Sequence, residues 1–203
     1  YAAADGKSKT VEVKSTPEPI ELCGAWEVEF PEKKATFDTL ISWSTSTNDD
    51  IRHFSGTASY KKQFTVSKDV IGTENSLLLD LGSVHKIAEV FINGQQVGVL
   101  WKQPFRLPID NLVKAGQNTL EIKVTNLWPN RLIGDENLPL DYERKGNQIK
   151  EWPIWLTEGK ARPTERTTFT SWNHWKADDA LLASGLLGPV KIIVLELKNI
   201  DDE

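Results

Sequence analysis

Eight tryptophans occur in the 203 residues, and five of them fall between positions 128 and 175. An indole offers a broad flat apolar surface and one N–H donor, the kind of surface on which the C–H face of a sugar ring stacks. Trp152-Pro153-Ile154-Trp155 and Trp172-Asn173-His174-Trp175 each place two indoles three residues apart, and Trp101 stands alone further upstream. Arg131, Arg144, Arg162 and Arg166 share the tryptophan-rich stretch. A guanidinium fork can clamp the carboxylate of an acidic sugar, or it can pair with a neighbouring acid of its own chain. The candidate carbohydrate-binding set is therefore Trp101, Arg131, Trp152, Trp155, Trp172 and Trp175. The same indoles have a second reading as packing groups, because tryptophan is usually highly buried. On that reading Trp128, followed directly by Pro129, is an anchor. Trp152 or Trp155, stiffened by Pro153 between them, is the open platform.

Hydrolysis of a glycosidic bond needs two carboxyl groups roughly 5–9.5 Å apart, one of them with a raised pKa. Asp135, Glu136, Asp141, Glu143, Glu158 and Glu165 lie in the same stretch. Sequence spacing pairs no two of them; solvated loop charge accounts for most, and Asp135 can form an ion pair with Arg131 that pins the loop. No catalytic residue is assigned. No GxSxG elbow, P-loop or GxGxxG is present. Cys23 is the one cysteine, which excludes an intramolecular disulfide and a cysteine-based zinc cluster. His53, His85 and His174 are far apart and form no HExxH motif. Asn48-Asp49-Asp50 and Asp178-Asp179 carry oxygen ligands of the type calcium takes, without EF-hand spacing. The metal content is left open, and no other cofactor is expected.

The elements that position these groups read as strands. Trp26, Val28 and Phe30 alternate with Glu27 and Glu29, and Ala58, Tyr60, Phe64 and Val66 alternate with polar residues, interrupted by Lys62. Leu77, Leu79 and Leu81 repeat the pattern, as do Leu120, Ile122 and Val124, the period-2 mark of half-buried strands. Residues 87–92 and 190–197 read as strands buried on both faces or nearly so. Asn93-Gly94 between apolar arms predicts a two-residue type I′ hairpin. Asp110 to Gly116 reads as one helical turn with an aspartate cap and a glycine stop. Many short strands and no sustained 3.6-residue period predict an all-β, antiparallel sandwich. Residues 126–188 break the pattern as a long Trp/Arg-rich insertion before the last strand. Residues 1–19 end in Pro17-Glu18-Pro19 and read as a linker or N-terminal extension, with the sandwich over 20–203.

Composition fits a globular chain: 39% hydrophobic and 26% charged residues, with a mean hydropathy of −0.39. The lack of a run of roughly 18 apolar residues argues against a membrane-spanning helix. A net charge of −5 with no basic stripe argues against a nucleic-acid partner. Methionine is absent even at position 1, so the chain is expected to be cut from a longer one, and no signal-peptide pattern opens it.

Several motifs together resemble a known family. Ser55-Gly56-Thr57-Ala58-Ser59-Tyr60 with Phe64 is similar to a strand of the sugar-binding β-sandwich of family 2-type glycoside hydrolases. Ala88-Glu89-Val90-Phe91-Ile92-Asn93-Gly94 with Gly98, then Pro104-Phe105 and Gly116-Gln117-Asn118-Thr119-Leu120, resemble its hairpin and ending. Asn126-Leu127-Trp128-Pro129-Asn130-Arg131-Leu132-Ile133-Gly134-Asp135 and Ser184-Gly185-Leu186-Leu187-Gly188-Pro189-Val190 resemble more narrowly the C-terminal sandwich domain of bacterial α-L-rhamnosidase-like glycoside hydrolases. The resemblance implies a galactose-binding-like jelly roll that serves as an accessory domain in polysaccharide degradation. It implies glycan and the parent chain's catalytic domain as partners, catalytic carboxylates in a separate barrel, and a periplasmic or secreted location. Two rivals stay open: a self-contained glycosidase with its carboxylates in the insertion, and a protein-interaction sandwich.

Overall fold

The computed structural model describes residues 17–72 and 74–197, so residues 1–16 of the expected N-terminal extension lie outside the described residues. In chain order the strands are β1 (Ile20–Glu21), β2 (Trp26–Phe30), β3 (Lys33–Phe37), β4 (Thr57–Val66), β5 (Asn75–Asp80), β6 (Ser83–His85) and β7 (Ile87–Ile92). They continue as β8 (Gln95–Leu100), β9 (Arg106–Pro108), β10 (Gly116–Thr125), β11 (Arg144–Lys145), β12 (Gln148–Ile149), β13 (Gly185–Gly188) and β14 (Lys191–Glu196). Three short helices join them: α1 (Asp49–Arg52), α2 (Pro129–Asp135) and α3 (Ile154–Thr157). One antiparallel sheet runs β3-β2-β4-β10-β7-β8 and a second runs β1-β14-β5-β9, with β13 paired to β6 and β11 to β12. This is the expected all-β sandwich. The last strand, β14, lies between the first and the fifth, so the second sheet is completed by chain from both sides of the insertion.

The spine is the ten-residue pairing of β4 with β10, from Gly116 opposite Val66 to Thr125 opposite Thr57. Ala58, Tyr60, Phe64 and Val66 face inward with Leu120, Ile122 and Val124, against Leu77, Leu79, Ile192 and Val194 of the other sheet. Lys62 interrupts that face without an orphaned charge. Its ammonium donates to the carbonyls of Gly24 (3.0 Å) and Ala25 (2.8 Å) and lies 5.1 Å from the centre of the Trp26 ring. Apolar stem and charged head thus separate, as is usual for lysine at a core margin.

Two expectations are corrected. β7 and β14 bury one face each, not both: Ile87 and Leu195 are exposed while Ala88, Val90, Ile92, Ile192 and Val194 are buried. The outer face of the larger sheet carries polar cross-strand pairs, including Glu29 with Lys34 and Lys61 and Ser59 with Glu121. Residues 110–116 make a single turn, closed by the Val113 N–H on the Ile109 carbonyl and ending at Gly116 with φ of 89°. Asp110 does not cap it, however: its carboxylate accepts from the Leu77 N–H at 2.6 Å and ties the turn to β5.

The hairpin reading holds. Asn93 and Gly94 have φ of 50° and 80°, as a type I′ turn requires at both central positions. No atom lies within 4 Å of where a Gly94 Cβ would sit, so backbone conformation alone sets the cost of a side chain there. Gly94→Val is expected to lower stability by about 1–3 kcal/mol in urea unfolding. An unchanged midpoint would mean that the turn tolerates a β-branched residue and carries little of the register.

Trp43 was not marked by any alternation, yet it sits at the centre of the core. It opens a single 3-10 turn, stacks on Tyr60 with ring centres 6.4 Å apart, and meets the edges of Phe30 and Phe54. Its indole N–H donates to the Tyr60 hydroxyl at 2.5 Å, and the Leu186 N–H donates to the same oxygen at 3.1 Å. Burial pushes the Tyr60 phenol well above its ordinary pKa, so it stays neutral. Gly185, where the insertion rejoins the sandwich, has φ of +95°. A Cβ there would come within 2.6 Å of both Trp43 Nε1 and Tyr60 Oη.

Candidate functional site

The insertion leaves β10 through Asn126, whose side chain accepts from the Gly56 N–H and donates to the Phe54 carbonyl. Pro129 occupies the first turn of α2, where its missing N–H costs nothing. Asn130, Ile133, Gly134 and Asp135 are buried on that helix. Asn130 clasps the two ends of the insertion together. It donates to the Leu182 carbonyl (2.7 Å) and Ser184 Oγ (3.0 Å) and accepts from the Leu182 N–H (2.8 Å).

Largely buried ion pairs then tie separate segments of the insertion to one another. Asp135 Oδ2 accepts from the N–H groups of Thr167 (3.0 Å) and Thr168 (2.7 Å) and from Thr168 Oγ1 (2.6 Å). Its Oδ1 lies 2.8 Å from Arg131 Nη2, but the N–H is not aligned on it, so the contact is Coulombic while Oδ1 and Arg131 Nε lack hydrogen-bond partners. Glu136 receives a bidentate fork from Arg144 (2.9 and 2.7 Å) and a further bond from Arg166 (3.0 Å). Arg166 also donates to the carbonyls of Pro139 and Leu138. Asp141 accepts from Arg162 and from Thr164 Oγ1. The hydrogen bond from Arg144, with that from Arg166, outweighs burial and holds the Glu136 carboxyl below its ordinary range. At Asp141 burial pushes upward, but Arg162 and Thr164 together prevail and the pKa falls.

The aromatic residues form a cluster around Phe169. Tyr142 and Trp155 meet its ring edge-on at 5.2 and 5.8 Å, and Trp152 lies tilted at 5.8 Å. The six candidate residues therefore separate into groups. Trp152 is open, at 58% exposure, while Trp155 is half-buried, with Arg162 over its face and its N–H donated to the Asp141 carbonyl. Trp172 and Trp175 line one pit beside Glu136, Arg166 and His174, of about 20 Å³, which suits one water-sized group. Trp101, 69% exposed, stands beyond β8 with Lys102 near its ring and shares neither place. Arg131 lines a groove of about 1060 Å³ between α1 and the insertion.

Trp128 corrects an expectation: it is 62% exposed and lines that groove instead of anchoring the insertion. Trp128 is the cap residue ahead of Pro129 and makes no capping hydrogen bond, and the buried contacts of α2 are made further along, by Asn130, Ile133, Gly134 and Asp135. The groove's other wall, α1, was not foreseen. Asn48 caps it by accepting from the Asp50 and Ile51 N–H groups, Asp49 pairs with Arg52, and Asp50 with Lys33. The Asn48-Asp49-Asp50 oxygens considered for calcium serve a cap and two ion pairs here, and Asp179 accepts from the Lys176 N–H. Among the described residues no group of three or more His, Cys, Asp or Glu converges as a metal site would need. Among the described residues no helix is long and apolar enough to cross a membrane.

Comparison with known proteins connects this architecture to carbohydrate enzymes. Over 98% of its length the chain is 58% identical to a protein of Formosa agariphila named "Putative beta-glucuronidase", of which it spans 18%. Among solved structures, the rhamnosidase from Novosphingobium sp. PP1Y superposes with a TM-score of 0.70 at 34% identity, covering 96% of this chain and 16% of that one. The β-D-glucuronidase of Dictyoglomus thermophilum shares the fold, with a TM-score of 0.57 at 23% identity over 91% of this chain and 29% of its own. The family description "Glycosyl hydrolases family 2, sugar binding domain" matches residues 12–155, whose described part runs from β1 through α2 into the insertion. With sandwich, hairpin and sequence in agreement, the chain belongs to the sugar-binding domain family of the family 2 glycosyl hydrolases.

Proposed function

We propose that the chain is a non-catalytic, carbohydrate-associated accessory domain of a larger, α-L-rhamnosidase-like glycoside hydrolase. It would contact glycan itself and brace a catalytic domain elsewhere in the parent. The observation that carries the non-catalytic part is the state of the insertion's carboxylates. Asp135, Glu136 and Asp141 are each tied to an arginine, Glu143 to Lys150 and Glu158 to Lys160. A general acid needs a raised pKa, whereas those of Glu136, Asp141 and Glu143 are lowered by their hydrogen-bonding partners.

The glycan part is supported by family membership and by open indoles at Trp101, Trp128, Trp152 and Trp172. The bracing part is supported by exposed Trp152, Ile154 and Leu140 around α3, an apolar surface of the kind that marks interaction sites. The names of the relatives suggest rhamnosides and glucuronides as substrates of the parent, which would work on polysaccharide in the periplasm or outside the cell. Incubation with aryl α-L-rhamnosides and aryl β-D-glucuronides is expected to release no aglycone. Turnover abolished by a single change such as Glu165→Gln would establish the rival, a self-contained glycosidase.

A further inference from the structure

We infer that the groove between α1 and the insertion binds an uncharged, hydroxyl-rich oligosaccharide, with Trp128 as its stacking surface. This rests on the glycan-associated reading above and adds the place and charge class of the ligand. At about 1060 Å³ the groove reaches the top of the roughly 300–1,000 Å³ range of small-molecule pockets, so it has room for more than one pyranose ring. One wall carries the open Trp128 indole, at the cap position of α2, and apolar C–H faces of sugars stack on such a surface.

The polar lining gives the charge class. Five carboxylates line the groove against three Lys and Arg side chains. Asp49 and Asp50 are paired with Arg52 and Lys33, and Arg131 faces Asp135. Burial, with the neighbouring Arg52 and Arg131, pushes the His53 imidazole below its ordinary range. Glu165 has no ion-pair partner among the described residues, and Asp179 takes only the backbone N–H of Lys176. The groove thus offers carboxylate lone pairs with few cations to occupy them. An ionised carboxylate only accepts hydrogen bonds, which suits the hydroxyl groups of a neutral glycan and repels a uronate or sulfate.

The test is calorimetric titration of the 203-residue chain with neutral rhamnose-containing oligosaccharides and with oligogalacturonates of equal length. Neutral ligands are expected to bind at least tenfold tighter than acidic ones. Trp128→Ala and Glu165→Gln should each weaken neutral binding about tenfold or more with melting temperature unchanged, while Leu195→Ala, on the exposed side of β14 and outside the groove, leaves affinity intact. Equal or tighter binding of the acidic ligands overturns the charge class. Wild-type affinity in both groove variants, with loss in Trp152→Ala or Trp172→Ala, overturns the groove while leaving the glycan reading standing. No binding of either class overturns both.

Discussion

Replacing Asp135 by alanine is expected to lower the stability of the chain by about 3–5 kcal/mol, the usual cost of removing one partner from a buried charged pair. Its carboxylate is buried, and Oδ2 alone collects three hydrogen bonds from Thr167 and Thr168, more than thirty residues further along the chain. Removing it leaves the Arg131 guanidinium without its counter-charge and two backbone N–H groups without an acceptor. The segment 164–168 also carries Arg166, which ties Glu136 to the Leu138 and Pro139 carbonyls. Loss of Asp135 should therefore loosen the insertion first. Urea unfolding followed by tryptophan fluorescence reads both effects. Asp135→Asn, which keeps one acceptor oxygen, should fall between. A change within about 0.5 kcal/mol for the alanine variant would show that the ion-pair network does not hold the insertion.

Trp43→Ala is expected to cost a similar amount, about 3–5 kcal/mol, as large-to-small core changes of aromatic residues do. The substitution empties the space between Phe30, Phe54 and Tyr60 and takes away the donor to the Tyr60 hydroxyl. Because Gly185 packs against the same pair, the return of the insertion into the sandwich loses its seat as well. Trp152→Ala is the control. At 58% exposure, its removal should move stability by no more than about 0.5 kcal/mol. Equal losses in the two variants would mean that the insertion packs far more tightly on the sandwich than its exposed indoles indicate.

The contrast between these two tryptophans shows what the sequence could convey. Strands β2, β4, β5 and β10 were legible because alternation is a local consequence of one buried face, and the Asn93-Gly94 turn because only certain residues accept positive φ. The depth of burial of β7 and β14 was not. Ile87 and Leu195 are apolar at exposed positions, and residue type alone does not separate an apolar outer position from a buried one. Trp43 sits in a stretch without periodicity, so its depth depends on Tyr60 and Gly185, both distant in sequence. Of the candidate site, the exposure of Trp152 and the pairing of Arg131 with Asp135 were foreseen. The groove was not, because it is assembled from α1 and α2, about eighty residues apart, and from carboxylate bonds that leave no periodic trace. Even so, the short motifs in β4, β7 and β10 were enough to point to the family.

The central claim is that this domain holds glycan and does not cut it. The most direct measurement is a calorimetric titration of the 203-residue chain with neutral rhamnose-containing oligosaccharides, with the cell contents then assayed for newly released reducing ends. Saturable binding heat with no increase in reducing ends is the result expected. Release of reducing ends, or no heat with any oligosaccharide offered, would contradict it.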